Sequence, residues 1–148
     1  MEIIGQSQID VGHALERVIT WLREARDPRA LSASALSALS RLEASGPLRI
    51  TDLAEREGLS QPGMTTLANR LEEAGFAVRE ADPADRRVVR VSITADGAKR
   101  IGDHREARAT LIASRIFELS IDDQRLLAAA IPALTHFVAV PPQSKEPR

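Results

Sequence analysis

Apolar residues recur along this chain with a helical period at both ends and a mixed period in the middle. Over residues 7–26, Val11, Leu15, Val18 and Leu22 follow one another at steps of four and three, joined by Ile19, so they share one face of an amphipathic helix. The Asp27-Pro28 pair is predicted to end that helix, because the residue before a proline is driven away from helical geometry. A second helix is predicted over residues 32–45, with Leu36, Leu39 and Leu42 on one face and Ser45-Gly46-Pro47 as the stop. Its many Ser and Ala residues suit close packing between helices. Leu48-Arg49-Ile50 reads as a strand too short to stand alone, so it is predicted to pair with a later one.

The middle of the chain changes period twice. Thr51 is the expected N-cap of a short helix that buries Leu53 and Ala54 and stops at Gly58, where glycine admits the left-handed conformation. Ser60 caps the next helix and Pro62 suits its first turn; Met64, Leu67, Ala68 and Leu71 make its apolar face. A small Ala54, a turn at Gly58 and the anchors Met64 and Leu67 match what a helix-turn-helix requires. Residues 76–81 and 87–93 are strand-like, and Asp82-Pro83-Ala84-Asp85 supplies turn chemistry between them, which makes a hairpin with arginines at its tip.

Thr94 is then expected to cap a long helix whose middle, residues 102–110, is too polar to be a core element. The last helix is predicted to start at Ser120, with Asp123 completing a capping-box variant, and to carry Leu126, Leu127, Ile131, Leu134, Phe137 and Val138. Pro132 falls inside that pattern, so the helix must kink or divide there. The tail VPPQSKEPR lacks the apolar residues to fold and is predicted to be disordered.

These elements define a mainly α fold with a small β-wing: a winged helix-turn-helix core over residues 31–98, an N-terminal dimerisation helix within 1–30, a stem and C-terminal dimerisation helices over 99–139, and a tail from 140 to 148. The two apolar terminal helices exceed what so small a centre can cover. A second copy would bury Val11, Leu15, Val18 and Leu22 as well as Leu127, Ile131, Leu134 and Phe137.

Composition narrows the chemistry. At 148 residues and 43% hydrophobic the chain can bury one sizeable core, while a net charge of −1 means that nucleic-acid binding would need a local basic patch. The absence of cysteine removes disulfides, Cys-based zinc sites and thiol redox sensing. No Gly-rich phosphate loop, HExxH or Ser-His-acid elbow is present, which argues against an enzyme. His13 and Glu16 could form half a metal site, but no other histidine has ligand spacing, so neither metal nor cofactor is expected. Without a signal segment or a long apolar run, the protein is expected in the cytoplasm.

The outer face of the helix after Gly58 carries Ser60, Gln61, Pro62, Gly63, Thr65, Thr66, Asn69 and Arg70. Short donors and acceptors, in place of the usual Glu and Lys, suit an approach to base edges and phosphates in a major groove. Arginines on a rigid ribbon tip, Arg86 and Arg87, can enter a narrow minor groove. Over residues 79–100 there are six basic side chains against four acidic, so placement matters here more than bulk charge; Asp85 makes sense as the residue that orients an arginine.

The stretch PLRITDLAEREGLSQPGMTTLANRLEEAGF, the wing DPADRR and the following VSITADG resemble the MarR family of bacterial winged helix-turn-helix transcriptional regulators. The resemblance implies a homodimer, each winged helix reading half of a pseudo-palindromic double-stranded operator. Asp85 and Arg87 match the family's wing signature Asp-x-Arg, which makes Arg87 the minor-groove candidate and Arg86 and Arg90 further wing contacts. It also implies repression relieved by a small lipophilic or aromatic effector, for which His13 and Trp21 are the cleft candidates. A winged helix used only for protein interaction remains the alternative at this point.

Overall fold

The side chains that leave water come from the central elements, and the terminal helices contribute none. In this computed structural model, which describes residues 5–25 and 30–140, the order is α1 (Gln6–Glu24), α2 (Ala33–Ser45), β1 (Leu48–Arg49), α3 (Ile50–Glu57), α4 (Gln61–Glu73), β2 (Ala77–Ala81), β3 (Val89–Ile93), α5 (Ala95–Phe117), α6 (Ile121–Ala129) and α7 (Ile131–Ala139). The Asp27-Pro28 stop and the tail from residue 141 lie outside the described residues.

Leu39 and Leu42 of α2, Leu53 of α3, Met64 and Leu71 of α4, Val91 of β3 and Ile101 of α5 converge in one core. Each fully buried aliphatic side chain of this kind contributes about 1.5–3 kcal/mol. The buried face of α2 keeps Leu39 and Leu42 of the expected leucine row and departs from it at Leu36. Ala35 and Ala38 are buried and Leu36 is only partly so, because the helix lies close enough to its neighbours that methyl groups fill the interface.

The start of α3 also differs from expectation. The helix begins at Ile50, Arg49 occupies the N-cap without a side-chain cap bond, and Thr51 lies within the first turn. Pairing of Leu48 with Val91 and of Arg49 with Arg90 holds those two residues extended, so the helix starts immediately after them. The early strand therefore does pair with a later one. The sheet is antiparallel with order β1-β3-β2, and Arg79 of β2 stands opposite Val91. Val91 faces the core, whereas Val89, nearer the hairpin tip, is exposed.

Thr94 caps α5 by accepting from the Gly97 N–H at 3.0 Å, and its own Oγ1 donates to the Gly75 carbonyl at 2.6 Å. Gly97 is buried against the Phe76 carbonyl, which itself accepts from the Thr94 N–H at 3.1 Å. This seam joins the base of the hairpin to α5. Beyond Ile101 nearly every residue of the polar middle of α5 is exposed. Ser120 caps α6 through the Asp123 N–H, and Pro132 lies in the first turn of α7, so the apolar C-terminal pattern divides at Ala130.

Neither α1, α6 nor α7 has a buried residue. Val11, Val18, Leu127, Ile131, Leu134 and Phe137 are all exposed, and Leu15 and Leu22 are only partly covered.

Candidate nucleic-acid interface

The α3–α4 turn is built from local chemistry. Gly58 adopts φ 63° and ψ 29°, and the Leu59 N–H returns to the Ala54 carbonyl at 2.9 Å, which closes the C-terminus of α3. The Ser60 hydroxyl then accepts from the Gly63 N–H at 3.2 Å to start α4. Met64, Ala68 and Leu71 anchor α4 in the core, which forces its opposite side outward. Ser60, Gln61, Pro62, Gly63, Thr65, Thr66, Asn69 and Arg70 are all exposed on that side.

Two of these side chains are partly engaged within the helix. Thr65 Oγ1 donates to the Gln61 carbonyl at 2.9 Å and Thr66 Oγ1 to the Pro62 carbonyl at 3.0 Å. Each hydroxyl oxygen keeps its lone pairs for an external donor. A third, Asn69, is reached from β2: Arg79 Nη2 donates to Asn69 Oδ1 at 2.6 Å. The same guanidinium is ion-paired through Nη1 with Glu72 Oε2, and the Arg79 backbone N–H donates to Glu72 Oε1 at 3.2 Å.

The wing has an internal lock. Asp82, 2% exposed, accepts from the Ala84 N–H at 2.8 Å on one oxygen and from Arg90 Nε at 2.7 Å on the other. The backbone bond from Ala84, together with Arg90, holds the Asp82 carboxyl below the ordinary aspartate value against the opposing effect of burial. Farther out, Asp85 Oδ1 accepts the Arg87 N–H at 3.0 Å and the Asp85 carbonyl accepts the Val88 N–H at 2.9 Å. Asp85 thus shapes the backbone that presents Arg87. The side chains of Arg86 and Arg87 are exposed and make no ion pair among the described residues.

Arg90 is placed differently from Arg86 and Arg87. It was expected among the wing's DNA contacts; its guanidinium is held by Asp82 while its side chain stays 35% exposed, so it braces the hairpin. Asp82 and Arg79 were absent from the expected site. The Asp82-Pro83-Ala84 sequence does carry a signal for the first, since aspartate commonly accepts the N–H two residues ahead in a turn. Nothing local marks Arg79, whose role depends on α4 packing against β2.

A separate open cleft of about 920 Å³ lies between the end of α1, α2 and α5. Ile19, Leu22, Leu36 and Leu111 contribute its apolar walls, and Arg23 and Arg108 also line it. Neither His13 nor Trp21, the residues expected at such a site, lines this cleft. With the period of α1, Ile19 and Leu22 turn toward α2 and α5, and His13 projects from an exposed position two turns earlier. No group of three or more His, Asp or Glu side chains among the described residues could hold a metal ion. Nor is any described helix long and apolar enough to cross a membrane.

A helix pair joined through a left-handed glycine, an outward polar face on its second helix and an adjacent arginine-tipped hairpin define a winged helix-turn-helix DNA-binding protein. The MarR family model matches residues 31–89. The HTH-type transcriptional regulator ML2140 of Mycobacterium leprae is 34% identical over 121 residues, covering 82% of this chain and 85% of that protein. The HTH-type transcriptional repressor MdtR of Bacillus subtilis is 24% identical over 132 residues, covering 89% and 84%. Transcriptional regulator Tm0710 of Thermotoga maritima superposes with a TM-score of 0.74 at 22% identity, over 88% of this chain and 94% of that one. The chain belongs to the MarR family and is a DNA-binding transcriptional regulator, not an enzyme.

Proposed function

We propose that the protein is a homodimeric repressor that binds a pseudo-palindromic double-stranded operator and is released by a small lipophilic or aromatic acid. The observation that carries DNA reading is the outer face of α4, where eight exposed polar or small residues lie beside a core-anchored apolar face. In this reading α4 enters the major groove, Thr65 and Asn69 meet base edges, Ser60 and Gln61 approach phosphates, and Arg87 enters the minor groove. Arg86 neutralises a phosphate, while Arg90 acts through the Asp82 brace.

The uncovered apolar faces of α1, α6 and α7 support the dimer, since exposed aliphatic and aromatic rows of this extent are costly in water. Two-fold symmetry would place the two α4 helices about one DNA turn, roughly 34 Å, apart. The name of MdtR supports repression. The apolar cleft lined by Arg23 and Arg108 supports an anionic lipophile as effector, because a change in its width would move α1 relative to α5 and so alter the spacing of the two lobes.

Selection of bound sequences from random duplex DNA, followed by titration of the selected duplex at several salt concentrations, tests this reading. An inverted repeat whose affinity falls steeply with salt is expected. Failure to retain any duplex at low salt would instead favour a winged helix devoted to protein contacts.

A further inference from the structure

The side-chain amide of Asn69 is not free to choose its orientation. A guanidinium has donors only, so the Asn69 atom that meets Arg79 Nη2 at 2.6 Å must be the carbonyl oxygen. The guanidinium is itself anchored: Nη1 is paired with Glu72 Oε2, and the adjoining backbone N–H binds Glu72 Oε1 at 3.2 Å. Asn69 is exposed on the outer face of α4, whereas Arg79 and Glu72 are partly covered where β2 meets the helix. The arrangement leaves both NH2 donors uncommitted, while one lone pair of Oδ1 is taken and the oxygen faces a positive charge.

We infer that Arg79 is a specificity-positioning residue, which holds Asn69 with its amide donors available and thereby favours guanine over adenine at the base pair beneath Asn69. The inference rests on the reading of α4 as the DNA-reading helix. Asparagine recognises adenine with both ends of its amide, Oδ1 accepting from the N6 amino group while Nδ2 donates to N7. With Oδ1 directed at Arg79, that pairing would bring an adenine amino hydrogen toward a guanidinium, donor against donor. Guanine offers O6 and N7, both acceptors, to the Asn69 NH2 and the nearby positive charge. Arg79 need not touch DNA for this effect; it acts by deciding which end of Asn69 does.

The test uses the full chain and sequencing of duplexes selected from a randomised library, for the wild type, Arg79→Met, Asn69→Ala and the double variant, with circular dichroism to check folding. The wild type is expected to prefer guanine over adenine about tenfold at one position per half-site, the position that Asn69→Ala relaxes. Arg79→Met should abolish that preference or turn it to adenine and leave the other positions unchanged. In the Asn69→Ala background Arg79→Met should change nothing further there, as a pair acting in series requires. Guanine retained in Arg79→Met, adenine selected by the wild type, or no position relaxed by Asn69→Ala would each overturn the inference. A wild type that selects no sequence would remove the DNA reading itself.

Should Arg79→Met fail to fold, the wild type decides the matter on DNA with 7-deazaguanine at that position. About a tenfold weaker binding is expected, with Asn69→Ala indifferent to the replacement. Undiminished wild-type binding would refute the contact.

Discussion

Replacing Gly97 by alanine sets two physical effects against each other in α5. Helix propensity favours alanine in a helix by about 1 kcal/mol. Packing opposes it: a Cβ at Gly97 would stand 2.2 Å from the Phe76 carbonyl oxygen and 2.8 Å from Ile93 Cγ1. Roughly 1 Å of separation must be opened, against main chain that cannot swing aside as a side chain tip can. That carbonyl accepts the Thr94 N–H, so opening the seam strains this bond and the Thr94 cap together. Overpacking of this kind costs about 1–3 kcal/mol and a weakened hydrogen bond about 1, so after the propensity gain the net loss is about 2 kcal/mol. For a chain of this size the melting temperature should fall by about 4–8 °C.

Gly102→Ala, in the same helix, is the control. A Cβ there meets nothing within 4 Å, so only propensity acts and stability should rise by up to about 1 kcal/mol. Urea and thermal unfolding followed by circular dichroism, at matched protein concentration because the proposed dimer would make stability concentration-dependent, measure both. A Gly97→Ala protein as stable as the wild type would show that the α5–wing seam is not close-packed and refute the argument.

Other outcomes follow from the wing and the terminal helices. Arg87→Ala should weaken operator binding by about 1.5–3 kcal/mol, while Lys99→Ala, whose ammonium is exposed and paired with Asp103, should have a much smaller effect; equal small losses in fluorescence anisotropy would sink the wing assignment. Thr65→Ala should relax preference at its base position by about 1–3 kcal/mol, and a selected half-site identical to the wild type's would move base reading elsewhere. Because the folded Asp82 carboxyl titrates below the ordinary value of 3.8, its contribution to stability is complete above that pH and is lost as pH falls through the depressed value. Asp82→Asn should therefore flatten the acid limb of the urea midpoint measured against pH, and an unchanged acid limb would count against the lock. Phe137→Asp, on the exposed face of α7, should convert the proposed dimer to monomer in light scattering; an unaltered mass would place the interface elsewhere.

The legible parts of this fold are those governed by near neighbours in sequence. The apolar spacing of α4, the left-handed Gly58, the Ser60, Thr94 and Ser120 caps and the division at Pro132 each depend on residues a few positions apart. Thr51 shows the limit. Its cap chemistry is sound locally, but the pairing of Arg49 with Arg90, forty-one residues on, decides that the helix begins two residues earlier. On α2, Leu39 and Leu42 are buried as expected, whereas Leu36 is only partly covered and Ala35 and Ala38 join the buried side, because packing against neighbouring elements, not hydrophobicity alone, selects it.

The sequence by itself determined that a helix pair joined at Gly58 and an arginine-tipped hairpin would form, and which polar side chains α4 would turn away from its apolar anchors. Only the tertiary structure decided how those polar groups are engaged. Closing of the hairpin brings Arg90 to Asp82 and leaves Arg86 and Arg87 exposed. Packing of α4 on β2 brings Arg79 to Glu72 and Asn69, and the approach of α1 to α2 and α5 puts Ile19 and Leu22, in place of His13 and Trp21, into the cleft. Periodicity can assign a residue to a face, but hydrogen-bond partners depend on ångström-scale distances between elements far apart in the chain, and those exist only after the core has closed.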